Sequence, residues 1–207
     1  MSYLIQAQES QLLVSSFSHK GLVRENNEDN LIVNNFQTTE AQPAPVLLAV
    51  LADGVGGHLA GEIASRIGVE TIAATVAGCE NLDDPASLLE KAILAANQAI
   101  VDNAVANPAR LGMGSTCVCA LIIDKRLYIA NLGDSRLYLL HKHDLCQLTY
   151  DHTWLEEIAA ANPERSIVIS RSHPLAHVLN RYLGSVEPVR VDLRMRKQEG
   201  QKNAFSQ

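Results

Sequence analysis

The sequence predicts a mixed α/β domain of the α+β kind, and three stretches predict it. Residues 46–52 form an unbroken apolar run of strand length that stops at Asp53. Two helical patterns follow back to back, from about 58 to 77 and from 85 to just before Pro108. Between 117 and 149 short apolar runs alternate with short polar turns, the pattern of an antiparallel meander. Two consecutive helices ahead of a meander are expected to cover a single sheet.

Taken in order, strands are expected at 12–17 and 31–33, with an exposed loop over 34–45 because that segment holds Thr, Gln and two prolines. In the first helix Leu59, Ile63, Ile67, Ile72 and Val76 fall near helical spacing, while Gly61 and Gly68 weaken it or permit close packing on a sheet. Asp84 is the expected N-cap of the second helix and Pro85 its first residue. Leu88, Leu89, Ala92, Ile93, Ala96, Ile100 and Val105 form its buried face. Strands follow at 117–123, 127–132, 136–140 and 145–149, the second and third separated by Gly133-Asp134-Ser135. Helices at 154–161 and 173–182 and a last strand at 189–193 complete the pattern, and 194–207 read as a polar tail.

The bulk composition narrows the classes. A chain of 207 residues suits one domain or most of a larger one. It is 47% hydrophobic but only 4% aromatic, so the core is expected to be aliphatic. A net charge of -6 argues against a nucleic-acid or membrane-surface binder and suits a protein that gathers carboxylates around divalent cations. The first residues lack a basic segment followed by an apolar one, and no apolar run reaches the ~20 residues of a membrane span. Cys79, Cys117, Cys119 and Cys146 show no Cys-x-x-Cys pairing, and Cys117 and Cys119 share one face of an apolar strand. Reduced thiols in a cytoplasmic protein are the expectation.

The chemistry centres on Asp53. Gly54, Gly56 and Gly57 follow it within four residues. A carboxylate at the end of a buried strand, with permissive backbone behind it, presents oxygens and a bare carbonyl to a cation. An Asp-Gly turn is the competing reading, and the strand before and helix after argue against a hairpin. Glu28, Asp29 and Asp134 also sit beside strand ends. Carboxylates crowded together raise one another's pKa unless a cation compensates them, and oxygen-only donors favour magnesium or manganese. Arg24, five positions before Asp29, could bring a planar fork to a phosphate monoester. A solvated loop of no consequence is the alternative for Arg24, Glu28 and Asp29.

Arg24-x-x-Asn27-Glu28-Asp29, Ala52-Asp53-Gly54-Val55-Gly56-Gly57-His58, Gly114-Ser115-Thr116, Asn131-Leu132-Gly133-Asp134-Ser135-Arg136, Leu148-Thr149-x-Asp151-His152 and His177-Val178-Leu179-Asn180-Arg181-x-Leu183-Gly184 occur in one order. The series resembles the type 2C (PPM) metal-dependent serine/threonine protein phosphatases, particularly the bacterial branch, and it covers about 16–193. The resemblance implies a four-layer αββα sandwich of two antiparallel sheets flanked by helix pairs, with two manganese or magnesium ions at one edge. It implies that Asp53 bridges both metals, that the Gly54 carbonyl ligates one, and that Glu28 and Asp29 hold metal-bound waters. Arg24 would grip the substrate phosphate, and Asp134 would bind a further, weaker ion. Gly114-Ser115-Thr116 looks structural, a tight entry to a central strand, and Asp151-His152 would shape the loop beside the site without a catalytic part. His58 is expected to open the helix, because Val55 stands where the eukaryotic branch has its general-acid histidine.

The implied reaction is hydrolysis of phosphoserine or phosphothreonine by a metal-activated water, without a phosphoenzyme. The implied partners are phosphorylated proteins supplied by an opposing serine/threonine kinase, with no nucleic acid and no membrane, and with the protein a cytoplasmic monomer engaged in signalling. Two late aspartates of the family, in a Ser-Asp-Gly segment and an Asp-Asn pair, have no match here. The expectation is an incomplete domain over 1–193 with weak metal affinity and little turnover. The rival is a non-catalytic phosphoprotein-binding module that retains the fold.

Overall fold

The computed structural model describes residues 4–7, 12–39, 43–55, 59–161 and 175–197. Its main sheet is antiparallel throughout, in the order β1 (Leu4–Gln6), β2 (Asp29–Thr38), β3 (Pro45–Val55), β5 (Cys117–Ile123), β6 (Arg126–Leu132) and β9 (Asp192–Lys197). The two-residue β4 (Gly114–Ser115) pairs with the end of β3, and β7 (Tyr138–His141) and β8 (Asp144–Gln147) form a separate hairpin. Antiparallel sheets with helices make this an α+β fold, as the sequence predicts.

Helices α1 (Leu59–Ala77) and α2 (Pro85–Ala106) are consecutive and pack together on one face of the sheet. Strand alternation decides what they cover. Val46, Leu48, Val50 and Ala52 of β3 point to the helices and are buried with Cys117, Cys119 and Leu121 of β5, and with Ile72, Val76, Leu89, Ile93 and Ile100 from above. The core is aliphatic, as expected. The opposite face is apolar as well, with Leu47, Val118 and Ile129 buried and Leu51 40% exposed. Asp84 caps α2 by accepting a hydrogen bond from the Ser87 N–H at 3.1 Å, Pro85 is its first residue, and the helix stops at Ala106. All four cysteines are free thiols. Among the described residues no helix is long and apolar enough to cross a membrane.

Several boundaries differ from the sequence expectation. Residues 12–17 are not a strand: Leu13 and Phe17 lie in solvent, and the edge of β2 is taken instead by Leu4–Gln6. β2 runs ten residues rather than three, because Asn34, Asn35 and Gln37 pair through their backbones with Leu48, Leu47 and Pro45 while Phe36 anchors in the core. The strands expected at 136–140 and 145–149 form a small hairpin away from the main sheet. Residues 175–182 are turn and bridge rather than helix. Their backbone is engaged elsewhere, through bridges from Leu179 to Thr153 and from Leu183 to Ser115. The last strand begins at Asp192 and continues to Lys197, since pairing with β6 rather than apolar content sustains it. Helix α3 (Trp154–Ala161) stands where the pattern places it, whereas Gly56, Gly57, His58 and 198–207 lie outside the described residues.

These exposures give a direct comparison. Leu48→Ala empties a fully buried site and is expected to cost about 3 kcal/mol in chemical denaturation. Leu13→Ala, at a fully exposed side chain, is expected to change stability by less than about 0.5 kcal/mol.

Candidate active site

The acidic residues meet at one end of the sheet because of strand register. Asp29 opens β2, Asp53 lies near the end of β3, and the two are direct cross-strand partners. Their side chains emerge on the same face, as they do for all directly opposed residues. Asp134 arrives from the loop after β6 and also faces Asp53 electrostatically. Burial, then the negative charges of Asp29 and Asp134, lift the Asp53 carboxyl from 3.8 to about 6, while Arg24 pulls it down. The closeness of the Asp29 carboxyl thus favours the protonated form of Asp53 when no cation is present.

Glu28 lies one residue before β2, with its carboxylate ion-paired to Arg24 and 3.2 Å from where a Cβ at Gly61 would stand. The Glu28 carbonyl accepts hydrogen bonds from the Gly54 N–H at 3.1 Å and from the Ser65 hydroxyl at 2.6 Å. This knot joins the start of β2, the end of β3 and the first turns of α1. It requires glycine at position 54, where a Cβ would lie 2.2 Å from the Gly61 carbonyl oxygen. Gly61, read as a weak point of the helix or a place of close packing, is the close approach.

A second knot fixes Asp53 from the other side. The Asp53 N–H donates to the Thr116 hydroxyl oxygen at 3.0 Å, the Thr116 N–H donates to the Asp53 carbonyl at 2.9 Å, and the Ser115 hydroxyl donates to the same carbonyl at 3.0 Å. The Thr116 hydroxyl also pairs with that of Ser135 at 2.6 Å, tying the Asp134 loop to β3. Gly133 makes this turn at φ +108°, and a side chain there would strike the Cβ of Thr116 at 2.7 Å. Arg136 holds Asp151 through Nε at 3.0 Å and Nη2 at 2.5 Å, and Asp151 also accepts from Gln147.

Arg24, Glu28, Asp29, Asp53, Gly54 and Asp134 are therefore brought to one end of the sheet. Ser65 and Thr116 escaped the sequence reading as site residues. Ser65 carries no local signal, and Thr116 was visible only as part of a tight strand entry. The donor set is all oxygen, four carboxylates and the backbone around Gly54, which is the chemistry of a hard divalent cation rather than zinc. Among the described residues no three of His, Cys, Asp or Glu are placed to hold one ion unaided.

Residues 14–157 match the Protein phosphatase 2C family. The chain belongs to that family. The serine/threonine phosphatase stp of Listeria monocytogenes is 36% identical over 176 residues, which are 84% of this chain and 67% of that protein. Among solved structures, the serine/threonine phosphatase Stp1 from Staphylococcus aureus superposes with a TM-score of 0.74 at 27% identity, over 93% of this chain and 76% of that one. The catalytic domain of the phosphatase PstP in complex with two manganese ions gives a TM-score of 0.69 at 31% identity, over 96% and 74% of the two chains. The bacterial serine/threonine phosphatases of the protein phosphatase 2C type are thus this chain's relatives in sequence and fold.

The raised Asp53 carboxyl makes a signed prediction for the ion-free protein. Below pH 3.8 Asp53 is protonated whether the chain is folded or not, between 3.8 and about 6 only the folded chain keeps the proton, and above that the folded chain releases it against repulsion. The stability contributed at acid pH is therefore lost as pH rises through about 6. Asp53→Asn should remove that loss, making the ion-free protein about 1 kcal/mol more stable at neutral pH after allowance for solvent screening at this half-buried site. Denaturant titrations in a chelator, at acid and at neutral pH, read both effects.

Proposed function

We propose that this chain is a metal-dependent phosphoprotein phosphatase acting on phosphoserine and phosphothreonine, with its chemistry at the Asp53 end of the sheet. The observation that carries the reading is the confluence of Asp29, Asp53 and Asp134 with one nearby arginine, which leaves Asp53 short of compensating positive charge. The oxygen donors fit magnesium or manganese, and a related catalytic domain has been solved with two manganese ions. Asp53 and the Gly54 carbonyl would hold the cations directly, Glu28 and Asp29 through water, and Asp134 a further, weaker one. Bound there, the cations supply Lewis acidity, which lowers the pKa of water and neutralises phosphoryl oxygens.

The chain's own groups do the rest. Arg24, 64% exposed and tethered to Glu28, offers its guanidinium from the solvent side, where a phosphorylated side chain can approach. In the ion-free protein a proton on Asp53 competes with the cations, so cation affinity is expected to rise as pH climbs through about 6. The Gly54–Glu28 and Thr116–Asp53 hydrogen bonds hold these groups in place before substrate arrives. The substrates are phosphorylated proteins. The opposing serine/threonine kinase, a role in signalling, the monomeric state and a cytoplasmic location belong to the same proposal and follow from the family resemblance.

Hydrolysis of a small aryl phosphate should depend on added manganese and be abolished by Asp53→Asn. Arg24→Ala should raise KM roughly 10- to 100-fold with a smaller change in kcat, corresponding to loss of about 1.5–3 kcal/mol of charged hydrogen bonding. Phosphopeptide binding without turnover at any manganese concentration would instead establish the non-catalytic module.

A further inference from the structure

His152 lies in the tight segment between β8 and α3 and is only 2% exposed. It grips Gly133 twice. Its backbone N–H donates to the Gly133 carbonyl at 3.0 Å, and the Gly133 N–H donates to its Nδ1 at 3.1 Å. A ring nitrogen that accepts a hydrogen bond carries no proton, so the proton of the neutral ring lies on Nε2. That nitrogen faces Asp192 Oδ2 at 3.2 Å, and Arg181 donates to the other Asp192 oxygen at 2.9 Å. Burial favours the neutral ring, pushing the His152 pKa below its ordinary value.

Gly133 is the pivot of the loop that carries Asp134. Its N–H and its carbonyl are both held by His152, and the next two residues bring Asp134 toward Asp53 and Ser135 onto Thr116, whose hydroxyl accepts the Asp53 N–H. Hydrogen bonds from Asp192 through His152 to Gly133, the three-residue chain Gly133–Ser135, and hydrogen bonds from Ser135 through Thr116 therefore connect Asp192 on β9 to the backbone of Asp53. We propose that His152, as the Nε2-protonated tautomer oriented by Asp192, is a positioning residue that sets the spacing between the Asp134 and Asp53 carboxylates. The inference rests on the cation-binding reading above and assigns the Asp-His segment a specific role in it. His152 touches neither substrate nor cation and acts only through Gly133.

Two conservative variants separate the functions of the two ring nitrogens. His152→Asn keeps an acceptor where Nδ1 stands but cannot reach Asp192. His152→Gln keeps a donor where Nε2 stands but offers Gly133 no acceptor. In the ion-free protein, amide hydrogen exchange should show Gly133 protection retained in His152→Asn and lost in His152→Gln, with the β5 amides unchanged in both. Manganese affinity by calorimetry should fall on the order of 10-fold in His152→Gln, as for loss of a group that orients ligands, and by about 3-fold or less in His152→Asn. The manganese concentration giving half-maximal hydrolysis should shift in parallel, with kcat at saturation little altered.

Equal losses in the two variants that follow their melting temperatures would overturn the proposal and leave His152 a packing residue. Unchanged affinity in both would overturn it as well. If His152→Gln loses Gly133 protection and manganese affinity while the parent protein hydrolyses no phosphate ester, the positioning role stands and the phosphatase reading falls.

Discussion

Everything at this end of the molecule depends on one unfavourable pairing, Asp29 directly opposite Asp53 on neighbouring antiparallel strands. Like charges so placed repel, and a sheet selected for stability alone would avoid them. The register that imposes the pairing is maintained along the rest of β2 and β3, where Phe36 and Val46 meet in the core and Val50 and Ala52 lie under the helices. Slipping the strands by one residue would relieve the carboxylates but turn every buried side chain of β3 outward. The hydrophobic core thus enforces an electrostatic strain it does not share in. The strain is concentrated on Asp53, where burial adds to the repulsion, and this makes the sheet end receptive to positive charge.

The acids are held by backbone more than by side chains. Gly54 and Gly61 let β3 and α1 touch main chain to main chain, and the Glu28 carbonyl sits in that junction, bonded to the Gly54 N–H and the Ser65 hydroxyl. On the other side Thr116 binds Asp53 through both its N–H and its hydroxyl. Backbone hydrogen bonds have few alternative geometries, so the carboxylates are fixed before any ligand arrives. Preorganisation of this kind is what a hydrolytic site requires. It also explains why two glycines with no side-chain chemistry stand beside the reacting groups.

What the sequence revealed follows the range of the forces involved. The helices were legible because their signals are local: the spacing of Ile63, Ile67 and Ile72, the cap from Asp84, the stop at Asn107-Pro108. The apolar run ending at Asp53 announced β3 for the same reason. The extension of β2 through Asn34, Asn35 and Gln37 was hidden because cross-strand hydrogen bonding does not require apolar side chains. The brief β1 is defined only by its partner. Residues 12–17 have strand-like composition yet no described partner strand, and 175–182 have a helical look overridden by tertiary bridges. At the site, ordered motifs identified Arg24, Glu28, Asp29, Asp53 and Asp134 as a group. The register that opposes Asp29 to Asp53, and the links through Ser65, Thr116 and His152, arise between elements distant in the chain and leave no local trace.

The outermost described strand on the β6 side has its own physical meaning. Along Asp192–Lys197 the residues Arg194, Arg196 and Lys197 follow one another almost without interruption, and the strand is exposed over its last four positions. Among the described residues no strand pairs with its far side, and an unpaired edge invites another chain to extend a sheet that here is rich in Val, Ile and Leu. A second copy docking edge to edge would bring two rows of cations within a few ångströms of each other. Wherever that border is left uncovered, the repulsion between these cations opposes ribbon growth between copies, at no cost to the aliphatic interior.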